Sequence, residues 1–513
     1  MGSSDALRPR STRPVALTSL AATLGLTHYG PDTSVTGVAM GSKAVQPGDL
    51  FVALRGVNRH GSEFWGDAVA AGASAVLTDP EGWDALGDPS TPVLVAPDPR
   101  SLLGALSAEI YGTDETAMPT LFGVTGTNGK TSTAFLLEAL LRGLGARTSL
   151  STTAQRQVNG VTFPSTLTTP EAPDTHAMIA RSAEEGVTGI AIEISAQALS
   201  KNRMDRVICD VAGFTNLSHD HFEDFGTMEN YLAAKAPLFT TAHAKRAVIC
   251  VDSPWGETLT QTLEIPYVTL GRHGAAQSDW TYRVLDSTAD SSTFELASAD
   301  GRSITLVAPL RGTHMVSNAA LAALMVHESG VSLEAFAVMG PGTAGIPVFI
   351  PGRMEKVSGD SGPQVFVDAG RSADAYLQTL TSLRSETLGR VIMVCGTSGN
   401  RDATKRPIMG RVAAECADVV IVTDDDPRRE DPAIIRQGLL EGARSVEGAL
   451  VHEVPNPTDA IRMAVGLVGE GDTILWSGPG SQDYRDIGGV KVPYSARAEA
   501  REALRDAGWG ENS

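Results

Sequence analysis

The run Gly123-Val-Thr-Gly-Thr-Asn-Gly-Lys-Thr131 constrains the fold more than any other stretch of this chain. The apolar segment Leu121-Phe-Gly-Val124 precedes it and reads as a buried strand. Behind it, Phe135, Leu136, Leu137, Leu140, Leu141 and Leu144 recur at helical spacing. A strand, a glycine-rich turn and a helix opening on Lys-Thr form a cradle for phosphate. The glycines let backbone N–H groups approach the oxygens, and the helix N-terminus adds partial positive charge. In that layout Gly126, Thr127, Asn128, Gly129 and Ser132 surround a nucleoside triphosphate, Lys130 reaches the β- and γ-phosphates, and Thr131 ligates Mg2+. The spacing departs from the strict phosphate-loop pattern, because Val124 holds the leading glycine position and Gly123 lies one residue early. A plain tight turn is the competing reading, and the strand and helix flanks argue against it. ATP, ahead of GTP, is the expected ligand.

At 513 residues the chain exceeds a single core and on length alone implies three or four domains. A net charge of -19 leaves no basic surplus to neutralise phosphates, which argues against a nucleic-acid or anionic-membrane partner. Cys209, Cys250, Cys395 and Cys416 are irregularly spaced with no CxxC, so buried free thiols are expected rather than disulfides or a zinc site. Residues 1–13 are polar, lack the apolar core of a secretory signal and read as a loose tail. No run of 18 apolar residues occurs, so no membrane helix is expected and the chain reads as cytoplasmic.

Three blocks follow the tail. Residues 14–112 hold short strands (Phe51-Val-Ala-Leu54, Ala75-Val-Leu77, Val93-Leu-Val95) between helical stretches. Residues 113–348 carry the phosphate loop and alternate helices with buried strands such as Gly189-Ile-Ala-Ile-Glu193 and Val211-Ala-Gly-Phe-Thr215, a βαβ pattern with a mainly parallel sheet. Near their end, Trp280-Thr-Tyr-Arg-Val284 and Thr293-Phe-Glu-Leu296 read as an antiparallel pair. After a Pro/Gly-rich junction at 340–353, residues 349–513 repeat the alternation through Val365-Phe-Val367, Val391-Ile-Met-Val394, Val419-Val-Ile-Val422 and Thr473-Ile-Leu-Trp476, consistent with a second doubly wound sheet.

Several polar residues sit at predicted strand ends of the second block, where open α/β sheets bind ligands: Glu193, Ser195 and Thr215-Asn-Leu-Ser-His-Asp-His221. Lys235 interrupts an otherwise apolar and small-residue helix over 231–239. Singly, each has an ordinary explanation as a solvated loop acid, a structural histidine or a surface lysine. Together, behind a nucleotide loop, they resemble the Mur ligase family, ATP-dependent amide-bond synthetases of cell-wall precursor assembly, and within it the MurE type. The resemblance covers nearly the whole chain. It includes Ser42-Lys-Ala-Val-Gln-Pro-Gly-Asp-Leu-Phe51 in the first block and Leu167-Thr-Thr-Pro-Glu171, Thr215-Asn-Leu-Ser218, Asp220-His221 and Ala234-Lys-Ala-Pro-Leu-Phe239 in the second. In the third block it includes Pro351-Gly-Arg-Met-Glu355, Arg401-Asp402, Lys405-Arg-Pro407 and Asp425-Asp-Pro-Arg428.

The resemblance implies an α/β three-domain architecture with a UDP-substrate domain (14–112), a central ATP-binding parallel-sheet domain (113–348) and a C-terminal amino-acid-binding Rossmann-like domain (349–513). It implies a monomer that joins a free diamino acid to UDP-muramoyl-L-alanyl-D-glutamate through an acyl phosphate. Carried over by position, Lys130, Lys235 and His221 are catalytic, and Asn318 and Arg353 join the phosphate loop around ATP. Ser42, Thr168, Thr169, Ser195, Arg203, Arg401, Asp425, Asp426, Pro427, Arg428, Gly478 and Gln482 contact the substrates. Thr131, Glu193, His221 and Lys235 serve the metal site, which is expected to hold two Mg2+ ions, with Lys235 carrying a CO2-derived carbamate.

This chain departs from the family pattern in three places. Ser195-Ala-Gln197, Asp368-Ala-Gly-Arg371 and Gly478-Pro-Gly-Ser-Gln482 stand where members usually have Ser-Ser-His, Asp-Tyr-Ala-His and Gly-Lys-Gly-His-Glu. Diaminopimelate-adding members also carry Asp-Asn-Pro-Arg where this chain has Asp426 in place of Asn. An anion there repels a distal carboxylate and attracts an ammonium, so L-lysine or L-ornithine is the expected substrate and meso-diaminopimelate the alternative. Arg428 and Arg401 argue for the latter, and Arg428 pairing with Asp426 resolves the conflict. Two readings outside this type are a folylpolyglutamate-type ligase, disfavoured by the first block, and a nucleotide-dependent ATPase or switch, which needs neither the Lys235 segment nor the third block's motifs.

Overall fold

Short apolar strands separated by amphipathic helices satisfy their backbone groups best in parallel sheets covered on both faces. The computed structural model describes residues 7–56, 58–87, 91–114, 118–165, 167–275, 277–288, 290–359 and 361–509 and contains three such sheets. In the first, Gly37–Ala39, Asp49–Ala53, Ala75–Thr78 and Val93–Val95 run parallel, and Thr27–Tyr29 adds an antiparallel edge.

The central sheet has eleven strands. Its parallel part places Thr120–Thr125 between Gly189–Glu193 and Val211–Phe214, with Thr148–Ser151 outside the former and Ala247–Cys250 outside the latter. The expected antiparallel pair is Trp280–Ser287 with Ser292–Ser298, and a third strand, Ser303–Ala308, extends it. Helices Lys130–Gly143 and Thr313–Glu328 cover one face in a core that includes Leu136, Leu140, Val316 and Leu324. In the third sheet Gln364–Asp368, Thr473–Ser477, Val391–Cys395, Val419–Val422 and Leu450–Glu453 are parallel neighbours in that order. The carboxyl ends of these strands therefore open on a common edge, from which the loops at 369–372, 396–404, 423–428 and 478–483 emerge. Among the described residues no helix is long and apolar enough to cross a membrane.

The two junctions between domains differ in chemistry. On the N-terminal side, Ala172, Ala177 and Ala180 of the central helix Ala172–Glu184 belong to the same apolar core as Leu17, Leu50, Leu77 and Leu106. On the C-terminal side, apart from Ile350 at the junction itself, the buried apolar clusters stay within their own domains, and polar contacts cross instead. Asn128 Nδ2 donates to Asp374 Oδ2 at 2.9 Å, Lys405 Nζ to Asp220 Oδ1 at 2.8 Å and Arg311 Nη1 to Gln364 Oε1 at 2.8 Å.

The expected loose tail over 1–13 is corrected from residue 7 onward; residues 1–6 lie outside the described ones. Leu7 is buried, and Arg8 bonds both oxygens of Asp49 at 2.6 and 2.7 Å with side-chain exposures of 12% and 2%. The backbone N–H groups of Arg10 and Ser11 donate to Glu184 of the central domain at 2.8 and 3.0 Å. Composition missed this because one buried guanidinium, rather than an apolar run, fixes the segment. Arg8→Ala takes a cation from beside a buried carboxylate and should cost about 2–3 kcal/mol. Denaturant unfolding followed by the Trp65 and Trp83 fluorescence of the first domain checks this; an unchanged midpoint would count against the docking.

Candidate functional site

The phosphate loop is held from below by its neighbour. Thr127 N donates to Asn216 O at 2.9 Å, Asn128 N to Asn216 Oδ1 at 3.0 Å, and Thr215 Oγ1 to Asn128 O at 2.6 Å. The loop conformation needs glycine at two places. Gly126 has φ +148°, and a Cβ there would lie 1.9 Å from Thr215 Oγ1; Gly129 has φ +84°, and a Cβ would meet Asn318 Oδ1 at 2.3 Å. Asn318 thus packs under the loop as well as lining the cleft beside it.

Two lysines meet on one carbonyl. Lys130 Nζ donates to Gly126 O at 3.1 Å and Thr127 O at 2.8 Å, and Lys235 Nζ donates to Gly126 O at 2.8 Å. Lys235 ends the helix Met228–Lys235, is 1% exposed, and lies 4.2 Å from the Tyr231 ring centroid. Burial, and next the Lys130 charge, drive the Lys235 amine well below the ordinary lysine range, and burial lowers Lys130 as well.

Opposite them, Thr131 Oγ1 donates to Glu193 Oε2 at 2.9 Å and accepts from Arg353 Nη2 at 3.0 Å. Glu193 Oε2 also receives Thr153 N at 2.9 Å and Thr153 Oγ1 at 3.1 Å. A buried carboxylate beside a hydroxyl is an oxygen donor set suited to Mg2+. His221 does not join them in this arrangement. Gln197 Nε2 donates to Asp224 Oδ2 at 2.8 Å, and because a carboxylate only accepts, the same amide nitrogen donates to His221 Nδ1 at 2.9 Å. This contact engages Nδ1, and His221, Glu223 and Asp224 bring their ligand atoms within 4.8 Å of one another in a group that does not include Glu193. The ring lies near Asp220, Glu223 and Asp224 instead, at 3.7–3.8 Å.

These groups line one cleft of about 1550 Å³ between the central and C-terminal domains. Its walls include 127–132, Thr168, Glu193, Ser195, Arg203, His221, Lys235, Asn318, Arg353, Arg371 and Arg401. Other expected site residues lie elsewhere. Thr169 is fully buried: its hydroxyl donates to Glu193 O and accepts from Ser195 N, so it positions the strand end rather than touching a ligand. Ser42 lies in the short turn Ser42–Ala44 of the first domain, outside the cleft lining. Arg203 is paired with Glu171 at 2.8 Å.

Asp425, Asp426 and Gln482 line a separate small cavity in the C-terminal domain with Tyr484 and Arg485. The expected Arg428–Asp426 pair is corrected. Arg371, from the departing Asp368-Ala-Gly-Arg371 segment, holds the carboxylates: its Nε lies 2.8 Å from Asp425 Oδ2, and its Nη2 lies 3.6 Å from Asp426 Oδ2 and 3.2 Å from Gln482 Oε1. Arg428 has φ +53°, and its backbone N–H donates to Asp486 O. Burial, then the Arg401 and Arg371 charges, lower its guanidinium pKa; among the described residues no carboxylate lies within 4 Å of it. Burial and then Asp425 raise the Asp426 carboxyl against the pull of Arg371. Arg371 and Thr153 were missed as site residues. The first was visible only as a departure, and the second carries no local signal.

Comparison with known proteins agrees with this geometry. Residues 34–111 match the catalytic domain of the Mur ligase family, residues 124–326 the Mur ligase middle domain, and residues 352–480 the Mur ligase glutamate ligase domain. The chain is 48% identical to a UDP-N-acetylmuramyl-tripeptide synthetase of Leifsonia xyli, covering 98% of this chain and 99% of the relative. It is 38% identical to a UDP-N-acetylmuramoyl-L-alanyl-D-glutamate–2,6-diaminopimelate ligase of Streptomyces avermitilis, over 97% and 98% of the two chains. A solved structure of a ligase with that second name aligns with TM-score 0.61 at 28% identity, over 92% and 95% of the chains. The MurF ligase of Thermotoga maritima in complex with ADP shares the fold at TM-score 0.64 and 18% identity, over 92% and 98%. The chain belongs to the Mur ligase family and is an ATP-dependent amide-bond ligase.

Gly126→Ala forces a strained backbone angle and a clash with the Thr215 hydroxyl in the loop that meets the phosphates. We expect ATP affinity to fall at least tenfold, about 1.4 kcal/mol or more, with little loss of thermal stability. Isothermal titration with a non-hydrolysable ATP analogue, alongside a melting curve, checks this.

Proposed function

We propose that this Mur ligase joins L-lysine or L-ornithine to UDP-N-acetylmuramoyl-L-alanyl-D-glutamate in peptidoglycan precursor synthesis. The observation that carries the choice of amino acid is the buried Asp425–Asp426 pair beside Gln482, two adjacent carboxylates that attract a cation, with Arg371 against Asp425 and Arg485 also lining their cavity. A distal ammonium suits such a pocket better than a distal carboxylate. The similarity to a tripeptide synthetase over the full length supports the acceptor.

The chemistry brings a substrate carboxylate against the γ-phosphate of ATP, two anions that repel unless neutralised. In this reading Lys130 leaves the Gly126 and Thr127 carbonyls for the phosphate oxygens, and Arg353, beside Thr131, adds a second cation from the C-terminal domain. Mg2+ supplies further charge neutralisation when bound, and Thr131 and Glu193 are the residues whose oxygens fit it. Lys235 as an ammonium does not fit a cation. Burial, and next the Lys130 charge, depress its pKa strongly, which favours the uncharged amine that reacts with CO2, and a carbamate at this position turns a misfit into an anionic ligand. The incoming amine then attacks the acyl phosphate, aligned by closure of the C-terminal domain on the cleft.

Arg428 and Arg401 favour a second reading. Their charges lie close enough to lower the Arg428 pKa, and a distal carboxylate between them would bind meso-diaminopimelate. An amino-acid panel with the UDP-dipeptide, read by product mass, separates the two; kcat/KM for L-lysine or L-ornithine should exceed that for meso-diaminopimelate by at least tenfold. A preference for meso-diaminopimelate would overturn the first reading.

Lys235→Ala should lower turnover by three orders of magnitude or more, as loss of a group that serves the developing charge does. Short carboxylic acids such as acetate should restore part of it by supplying the missing anion. Full activity of the variant, measured as ADP release dependent on both substrates, would rule the carbamate out.

A further inference from the structure

The carboxyl-end loops of three C-terminal strands converge on a single guanidinium. Arg371 follows the strand Gln364–Asp368, Asp425 and Asp426 follow Val419–Val422, and Gln482 follows Thr473–Ser477. The guanidinium spans all three partners, with Nε 2.8 Å from Asp425, and Nη2 3.2 Å from Gln482 and 3.6 Å from Asp426. The small cavity these acids line has space for about one water, 10 Å³, and does not itself admit a second cation, so a substrate cation reaches the acids only from the side that Arg371 occupies. Arg371 also lines the open cleft of about 1550 Å³, so its guanidinium has room to swing away from the acids.

We propose that Arg371 is a specificity-determining residue, an internal cation occupying the seat of the substrate's distal ammonium, which the incoming amino acid must displace. This rests on the reading above that the amino acid carries a distal ammonium. Planar guanidinium and compact ammonium differ in what they ask of the site. Arg371 hydrogen-bonds Asp425 and the Gln482 amide oxygen and adds its charge 3.6 Å from Asp426, whereas an ammonium reaches these groups only when its chain brings it to the same point. Competition between the two raises the KM for every amino acid and penalises most those that bring no cation to leave behind on the acids. Uncharged side chains displace Arg371 only by stranding two buried carboxylates. The same guanidinium therefore weakens binding of the right substrate and excludes the wrong ones more strongly.

Replacing the cation separates this from a structural role. In Arg371→Met the KM for L-lysine should fall about tenfold, the size of one charge-assisted contact. The inhibition constant of L-norleucine, its uncharged isostere, should fall further still, because the uncharged chain carries the larger penalty in the unmutated enzyme, so the preference for the cationic side chain narrows. Arg371→Lys, which keeps the charge and loses the fork, should give an intermediate KM. A KM for L-lysine that is unchanged or raised in Arg371→Met, or an L-norleucine constant that falls less than the L-lysine KM, overturns the proposal. If Arg371→Met fails to fold by its melting curve, Arg371→Lys decides alone: a lowered KM for L-lysine supports the proposal and an unchanged one overturns it. Failure of the underlying reading shows elsewhere, in the ranking of L-lysine against meso-diaminopimelate by the unmutated enzyme. That ranking can reverse without abolishing the charge-selective response to Arg371→Met, and the response can vanish while the ranking stands.

Discussion

Two lysine amines hydrogen-bonded to one backbone oxygen set the electrostatics of the phosphate loop. Lys130 and Lys235 are both withdrawn from water onto Gly126 O. At the effective dielectric of a protein interior, unit charges about 4 Å apart repel by roughly 4 kcal/mol. The surrounding structure holds them there: Thr215 and Asn216 clamp the loop, the Tyr231 ring lies beside Lys235, and a glycine permits the turn at φ +148°. Such a site stores a demand for negative charge. In the proposed reading a polyphosphate answers it at Lys130 and loss of the proton answers it at Lys235, so the electrostatics of the loop separate the roles of two residues of the same type.

The C-terminal domain solves the opposite problem. There two carboxylates are buried side by side, and burial together with the Asp425 charge raises the Asp426 carboxyl. One guanidinium is brought to them by a loop from a neighbouring strand, and a further one, Arg428, is left without a carboxylate in reach among the described residues. The cationic loop lines the large cleft and the acidic pair lines a separate small cavity, and Arg371, on the cleft wall, reaches Asp425.

Much of this was readable from the chain. Runs such as Gly189–Glu193 and Val419–Val422 are buried along their whole length, and such strands announce themselves as unbroken apolar stretches. Two hairpins were overlooked although they carry short-range signals. Asn159-Gly160 turns Arg156–Val158 into Val161–Phe163 with φ of +46° and +83°, and Gly488-Gly489 turns Tyr484–Ile487 into Val490–Pro493 with φ of +67° and +86°. Their strands are short and half-exposed, so periodicity says little about them. The phosphate loop, Glu193 and Lys235 followed from motif and context. Partnerships did not: the loop that brings Arg371 to Asp425, 54 residues away, and the Gln197 amide that occupies His221 Nδ1 are tertiary facts with no trace in local sequence.

The unlike junctions of the central domain have a mechanical meaning. Ala172, Ala177 and Ala180 share their core with the first domain, so parting the two would expose apolar surface. Water competes on nearly equal terms for the contacts on the other side, Asn128–Asp374, Lys405–Asp220 and Arg311–Gln364. One joint is welded and the other is a latch. If a long substrate is anchored on the welded side, as the proposed function implies, its reacting end would stay still against the phosphates while the C-terminal domain alone swung, a vice with one fixed jaw.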